Sequence, residues 1–367
     1  MAKFCVFCGN KPESKTKEHV IPDWLINLTG DPKRIANFGF NKEGGPRRFS
    51  YDQFVFPACE NCNNLYSDLE RKAKNIFENV INGRSIPTEK LSLLFDWFDK
   101  VRVGIWLGLA TLDKLKDEEN VFEKLEPNFH INKRVGQFDR VLIIEKYKSD
   151  KLHLSFQGTD TYLFMNEPSV FSMMVNGVCF TNISSYFLLS RRVGFPYPSK
   201  ISLDRNSDML RVDIENGTCR VSNPIIRKRI KELGVLYAQP MFGRELVSEL
   251  SNKYKNPYIK EHAIDYQEGI GNIYEVKGEK LVEYKSGDNI KVPLDGVYYP
   301  IEFEIRLLIN VYEWQVWVND FLKRDLSYLT KEQKIFVNKK IKLLQNGNRK
   351  RISYAKNKLK QIAKDMM

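Results

Sequence analysis

Apolar residues fall at helical spacing in several long stretches of this chain and in short β-like blocks between them, and this division predicts its elements. From about Thr88 to Asp113, Leu91, Leu94, Phe95, Trp97, Phe98, Val101 and Ile105 recur at steps of three and four, predicting one long helix with a broad packing stripe. A helix starting near Asn63 should continue past Glu70 to about Asn82, where Gly83 supplies a stop. A further apolar helix is expected over Ile305 to Phe321. The tail reads as two helices, Lys331 to Gln345 and Arg349 to Asp365. Ile335, Ile341 and Leu344, then Ile352, Leu359 and Ile362, keep the helical period, and Asn346-Gly347-Asn348 offers a break. From about Arg140 to Val221 the blocks Val141-Leu142-Ile143-Ile144, Leu152-His153-Leu154-Ser155-Phe156 and Tyr186-Phe187-Leu188-Leu189, punctuated by Gly, Asn and Pro, predict an antiparallel sheet. The fold class expected is α+β.

Composition narrows the setting. With 42% hydrophobic residues over 367 positions, the chain can bury a substantial core and is long enough for two or three domains. Its most apolar stretch, Val103 to Ala110, is too short and too close to charge to span a bilayer. Met1 to Gly9 holds one Lys and two Cys with no apolar core, so no secretory leader is expected and the location expected is cytoplasmic. The net charge is +12, and Phe321 to Met367 alone carries fourteen Lys and Arg against three acids. Lys339, Lys340, Lys342, Arg349, Lys350, Arg351, Lys356, Lys358 and Lys360 would form a basic surface able to release counterions from a phosphate backbone, which points to a nucleic-acid partner.

Four of the six cysteines form two CxxC pairs, Cys5/Cys8 and Cys59/Cys62, where random placement gives about 0.1 such pairs. A CxxC turn brings two sulfurs to one ion, and two turns complete the four-thiolate set that Zn²⁺ prefers. A reducing cytoplasm favours structural zinc over disulfides. Cys179 and Cys219 lie in apolar, strand-like surroundings and read as buried inert thiols, and His130, His153 and His262 have no ligand spacing. Between the pairs stands Glu18-His19-Val20-Ile21-Pro22, and Asn63 follows Cys62 directly. On a strand Glu18 and His19 point to opposite faces, one suited to a metal and the other to an attacking water.

These residues, Cys5-Val6-Phe7-Cys8, Glu18-His19-Val20-Ile21-Pro22 and Cys59-Glu60-Asn61-Cys62-Asn63-Asn64, resemble the HNH or ββα-metal endonucleases, in the zinc-bearing branch that includes phage endonuclease VII and McrA-like nucleases. The resemblance covers about residues 1–85. It implies that His19 is the general base and that Glu18 and Asn63 hold a catalytic Mg²⁺ or Mn²⁺, with Asp52 or Gln53 in the place of the family's middle Asn. It also implies Cys5, Cys8, Cys59 and Cys62 around a structural Zn²⁺.

The organisation expected is a nuclease domain over 1–85, a helical connector over 86–135, an α+β sensor or recognition domain over 136–300 and a basic helical region over 301–367. The function expected is hydrolysis of DNA phosphodiester bonds in bacterial defence or a mobile element, alone, as a homodimer or with a defence-system partner. The contrasting expectation is a catalytically silent zinc scaffold that binds nucleic acid or protein.

Overall fold

The computed structural model describes residues 5–8, 10–11, 14–40, 46–112, 138–149, 151–165, 168–185, 197–204, 209–215, 234–243, 263–264, 273–285, 287–292, 300–322 and 329–365. In chain order the elements are β1 (Lys15–His19), α1 (Asp23–Leu28), β2 (Ile35–Phe40), β3 (Pro46–Ser50), β4 (Val55–Cys59), α2 (Glu60–Ile81), β5 (Ile86–Pro87) and α3 (Thr88–Leu112). The body follows with β6 (Phe138–Lys146), β7 (Leu154–Gln157), β8 (Ser169–Val175), β9 (Val178–Ser185), β10 (Tyr197–Asp204), β11 (Met209–Glu215), β12 (Val235–Gly243), β13 (Ala263–Ile264), β14 (Ile273–Lys277), β15 (Lys280–Tyr284) and β16 (Asn289–Ile290). Two helices close the chain, α4 (Pro300–Leu322) and α5 (Lys331–Asp365).

The chain is α+β. Its main sheet has the order β15-β14-β12-β6-β9-β8-β7, antiparallel throughout, with β13 added in parallel to β12. Both faces are covered, which is why β8 and β9 are apolar or small at nearly every position rather than alternating. On β6, Leu142 and Ile144 join the core shared with α2 and α3, whereas Val141 and Ile143 pack with Phe303, Leu307, Val311 and Trp314 of α4. The core on the α3 side is continuous from Cys5 to Val292, so the expected boundaries at 85 and 135 fall beside elements that share one interior.

The predicted stripe of α3 is buried at every named position. Near its end α3 packs closely on the N-terminal unit: a Cβ on Gly108 would lie 1.9 Å from the Phe54 ring, so only glycine admits that ring. α2 stops where expected, at Gly83 (φ 68), whose N–H donates to the Val80 carbonyl.

The tail differs from expectation. Asn346-Gly347-Asn348 does not break it, and α5 is one helix of 35 residues, about 52 Å long. The cause lies across the helix pair. Asn348 is buried and donates from Nδ2 to Gln315 Oε1 at 2.6 Å, and buried Gln345 donates to the Val316 carbonyl (3.0 Å) and to Asp320 (2.9 Å). Gln315 in turn donates to the Gly158 and Val170 carbonyls, both at 2.8 Å. This amide hub, with Ile341 and Ala355 buried on either side of it, offsets the poor helix propensity of an Asn-Gly-Asn run. The expected strand Tyr186 to Leu189, with Cys219, His130 and His262, lies outside the described residues. His153 is partly exposed, its Nε2 2.9 Å from Ser155 Oγ and 3.5 Å from Glu304.

Candidate metal centre and hydrolytic site

Three pieces of chain meet at the cysteines. The turn Cys5–Cys8 is tied to β4 by the Val6 N–H, which donates to the Pro57 carbonyl (3.0 Å). Phe7 stacks on Tyr66 of α2 with ring centres 4.1 Å apart, so the turn is fixed to both neighbours. β4 runs directly into α2, which places Cys59 at the helix cap and Cys62 in the first turn, where the helix dipole favours negative sulfur. The four sulfurs lie within 4.8 Å of one another, and Cys8 and Cys59 are 4.0 Å apart. A tetrahedron with Zn–S bonds of roughly 2.3 Å has edges of roughly 3.8 Å. The group is thus positioned to hold a metal ion and is compatible with structural zinc.

The electrostatics agree. Burial pushes the Cys5 thiol up, but backbone N–H groups of Cys59, Cys8 and Phe7 outweigh it and bring Cys5 down to about 7. Cys62 is pushed far up, by burial first and then by the neighbouring sulfurs. Four thiolates cannot coexist this close unaided, and a divalent cation among them supplies the missing charge.

From the cysteines, β1 and β4 run antiparallel with Lys15 opposite Cys59, Glu18 opposite Phe56 and His19 opposite Val55. Glu18 is buried. His19 is half-buried, and its Nδ1 is shielded from solvent without a hydrogen-bond partner. The opposite facing expected of adjacent strand residues fits this contrast.

Glu18 does not face open space. Lys100 of α3 lies 2.5 Å from Glu18 and 2.5 Å from Glu70 of α2, and its side chain is only 4% exposed. Trp24 donates from Nε1 to the other oxygen of Glu70 at 2.7 Å. The rings of Phe7 and Tyr66 lie 5.7 and 5.9 Å from the ammonium. Burial pulls the Lys100 ammonium down, but the Glu70 and Glu18 carboxylates outweigh it and hold Lys100 charged, above its usual range. Burial also pushes the Glu18 carboxyl up; the Lys100 ammonium only partly offsets this, and the Glu70 carboxylate adds to the rise.

Asn63 sits in the second turn of α2, next to Cys62 and partly buried. Glu70, the α2 residue that shares Lys100 with Glu18, is seven residues further, about 10.5 Å along the helix. The fold therefore joins Glu18 to Lys100 and Glu70 and leaves Asn63 beside the thiols. Among the described residues the four cysteines are the one group of three or more Cys, His, Asp or Glu side chains arranged to hold a metal. The Glu18 carboxylate is already engaged by the Lys100 ammonium. Asp52 lies in a short 3₁₀ turn before β4 and accepts a hydrogen bond from Ser50.

Sequence reading missed Lys100 and Glu70. The signal was present: Asp96, Asp99, Lys100 and Arg102 interrupt the apolar stripe of α3, and charges on a buried helix must find partners. Arg140 of β6 answers the two acids, at 2.5 Å from Asp96 and 3.0 Å from Asp99, and is fully buried.

Of the nine basic residues singled out in the tail, Lys339, Lys340, Lys342, Arg349, Lys350, Lys356, Lys358 and Lys360 are exposed. Lys356 pairs with Glu313 at 2.8 Å, and Arg351 lies 3.6 Å from Asp160. Among the described residues no helix is long and apolar enough to cross a membrane. Comparison with protein-family models, with curated proteins and with solved structures finds no match to this chain.

Proposed function

We propose that the chain is an endonuclease acting on DNA, with its hydrolytic centre on the β1–β4–α2 unit and its phosphate-binding surface on α5. The observation that carries this is the order of the unit: two paired strands lead into a helix, four thiols gather at the strand–helix junction, and a histidine with an unsatisfied ring nitrogen ends the first strand. In that role His19 accepts a proton from the water that attacks phosphorus, and as the new P–O bond forms the bond to the 3′ oxygen breaks, that oxygen leaving to take a proton from solvent. The zinc held by Cys5, Cys8, Cys59 and Cys62 would fix the junction and take no part in the chemistry. Catalytic Mg²⁺ or Mn²⁺ would neutralise charge on the phosphate, but in this arrangement Glu18 is held by Lys100, and no step is assigned to the ion.

The test is nicking of supercoiled plasmid with and without Mg²⁺ or Mn²⁺. His19→Ala should abolish nicking while zinc content and thermal midpoint stay unchanged. Undiminished nicking by that variant would remove His19 from the mechanism.

A second reading, favoured by the Glu18–Lys100–Glu70 contact, is a silent zinc scaffold in which Glu18 is purely structural. It expects salt-sensitive DNA binding with no cleavage under any divalent cation. A homodimer or a defence-system partner that must assemble before cleavage belongs with the first reading.

A further inference from the structure

α5 turns one side to α4 and the other to solvent. Ile341, Gln345, Asn348 and Ala355 are buried on one side, where Gln345 and Asn348 bond to α4 and Ala355 packs with its Ile305 and Ile309. On the opposite side Phe336, Leu343 and Tyr354 are 69%, 72% and 73% exposed. These three are seven and eleven residues apart, spacings that put them on one stripe of the helix. Lys339 and Lys350 border the stripe on one side and Lys340 and Lys358 on the other, all exposed. The exposed acids of α5 are Glu332 and Asp365, one at each end.

Phosphates account for the lysines but not for three large side chains held out in water. A duplex hides its base faces in the stack, whereas an unpaired strand offers them to aromatic rings while its backbone follows a positive groove. We propose that the outward face of α5 is a track for single-stranded nucleic acid, with Phe336 and Tyr354, about 27 Å apart along the helix, as stacking platforms. This rests on the nucleic-acid reading above and narrows its partner to a strand with accessible bases. Charge argues against a second copy as the occupant, because pairing two such faces would set lysines against lysines. The stripe is also too narrow and too interrupted, by Gly347 and Lys350, for a helix lying in a membrane interface.

The experiment is fluorescence anisotropy of the full zinc-loaded chain with labelled oligothymidine of about 20 nucleotides and a duplex of equal length, without added divalent cation. Phe336→Ala with Tyr354→Ala should weaken strand binding about tenfold or more and leave duplex binding within about twofold. Lys340→Gln, Lys350→Gln and Lys358→Gln together should weaken both probes and flatten the salt dependence. Zinc content and circular dichroism verify that the variants fold. Unchanged strand binding by the aromatic variant, equal loss on both probes, or no strand binding by the parent chain overturns the proposal. So does a dimer in sedimentation, or binding to phosphatidylserine vesicles, that the aromatic variant abolishes. His19→Ala tests the other end of the molecule: loss of nicking with an unchanged anisotropy curve separates failure of the track from failure of the hydrolytic centre.

Discussion

Lys100 and Lys350 are the same side chain on two long helices, and the fold treats them oppositely. Lys100 is enclosed by aromatic rings and shared between Glu18 and Glu70, whereas Lys350 faces water on a helix whose seam with α4 is held by the neutral amides of Gln315, Gln345 and Asn348. The N-terminal unit thus buries an ion cluster, two carboxylates about one ammonium, beside its four thiols, while the C-terminal pair joins its helices largely through amides and leaves most of its cations exposed. A buried ion contact is costly to form and costlier to break, so it ties β1, α2 and α3 into one arrangement. An exposed cation adds little to the fold and is free to meet an anionic partner.

The largest effect on this contrast should come from removing the metal. Structural zinc contributes about 10–16 kcal/mol in small peptides, and its loss here should expose β1, β4 and the start of α2 to hydrogen exchange while α4 and α5 keep their protection. Cys62→Ser should do the same and lower bound zinc well below one ion per chain. Full occupancy in that variant, or equal loss of protection in both regions, would remove the distinction between the two ends.

Next in size is Lys100→Met, which leaves two buried carboxylates without their cation and should cost about 3–5 kcal/mol in urea denaturation. The pH dependence carries the sign. Glu18 already has its folded value raised, so the stability it contributes is present below its unfolded value and is lost as pH rises through the folded value. Without Lys100 that value rises further. The deficit of the variant should therefore be small near about pH 4 and grow toward about pH 7. A deficit independent of pH would mean that packing of the lysine stem, not its charge, carries the contact.

What could be read in advance divides along the same line. α3 follows from spacing because its apolar stripe is local, the end of α2 follows from Gly83, and the four cysteines are legible because a metal needs a fixed set of ligands at short spacing. The opposite facing of Glu18 and His19 is a property of any strand. Asn63 was expected beside Glu18 from its adjacency to Cys62, whereas which α2 residue shares a partner with Glu18, here Glu70, depends on how α2 and α3 lie against β1. Asn346-Gly347-Asn348 reads as a break because helix propensity is local, while the partner that keeps the helix whole is Gln315, 33 residues from Asn348. Lys100 is a similar case: its charge is visible in the α3 stripe, but Glu18 and Glu70 lie on two other elements.

The smallest effect on the fold is expected on the exposed side, from Lys339→Gln, Lys340→Gln and Lys342→Gln combined. Three solvated cations without buried partners should change stability by no more than about 0.5 kcal/mol, against the several lost at Lys100. Their loss should instead appear in binding, where each phosphate contact removed lowers the slope of log affinity against log salt by about 0.9 for duplex DNA. A triple variant that keeps its thermal midpoint and loses roughly two to three of that slope would show α5 acting through its surface alone. A fall in midpoint comparable to that of Lys100→Met would instead make these lysines part of the scaffold, and the two ends of the chain would no longer differ in how they use charge.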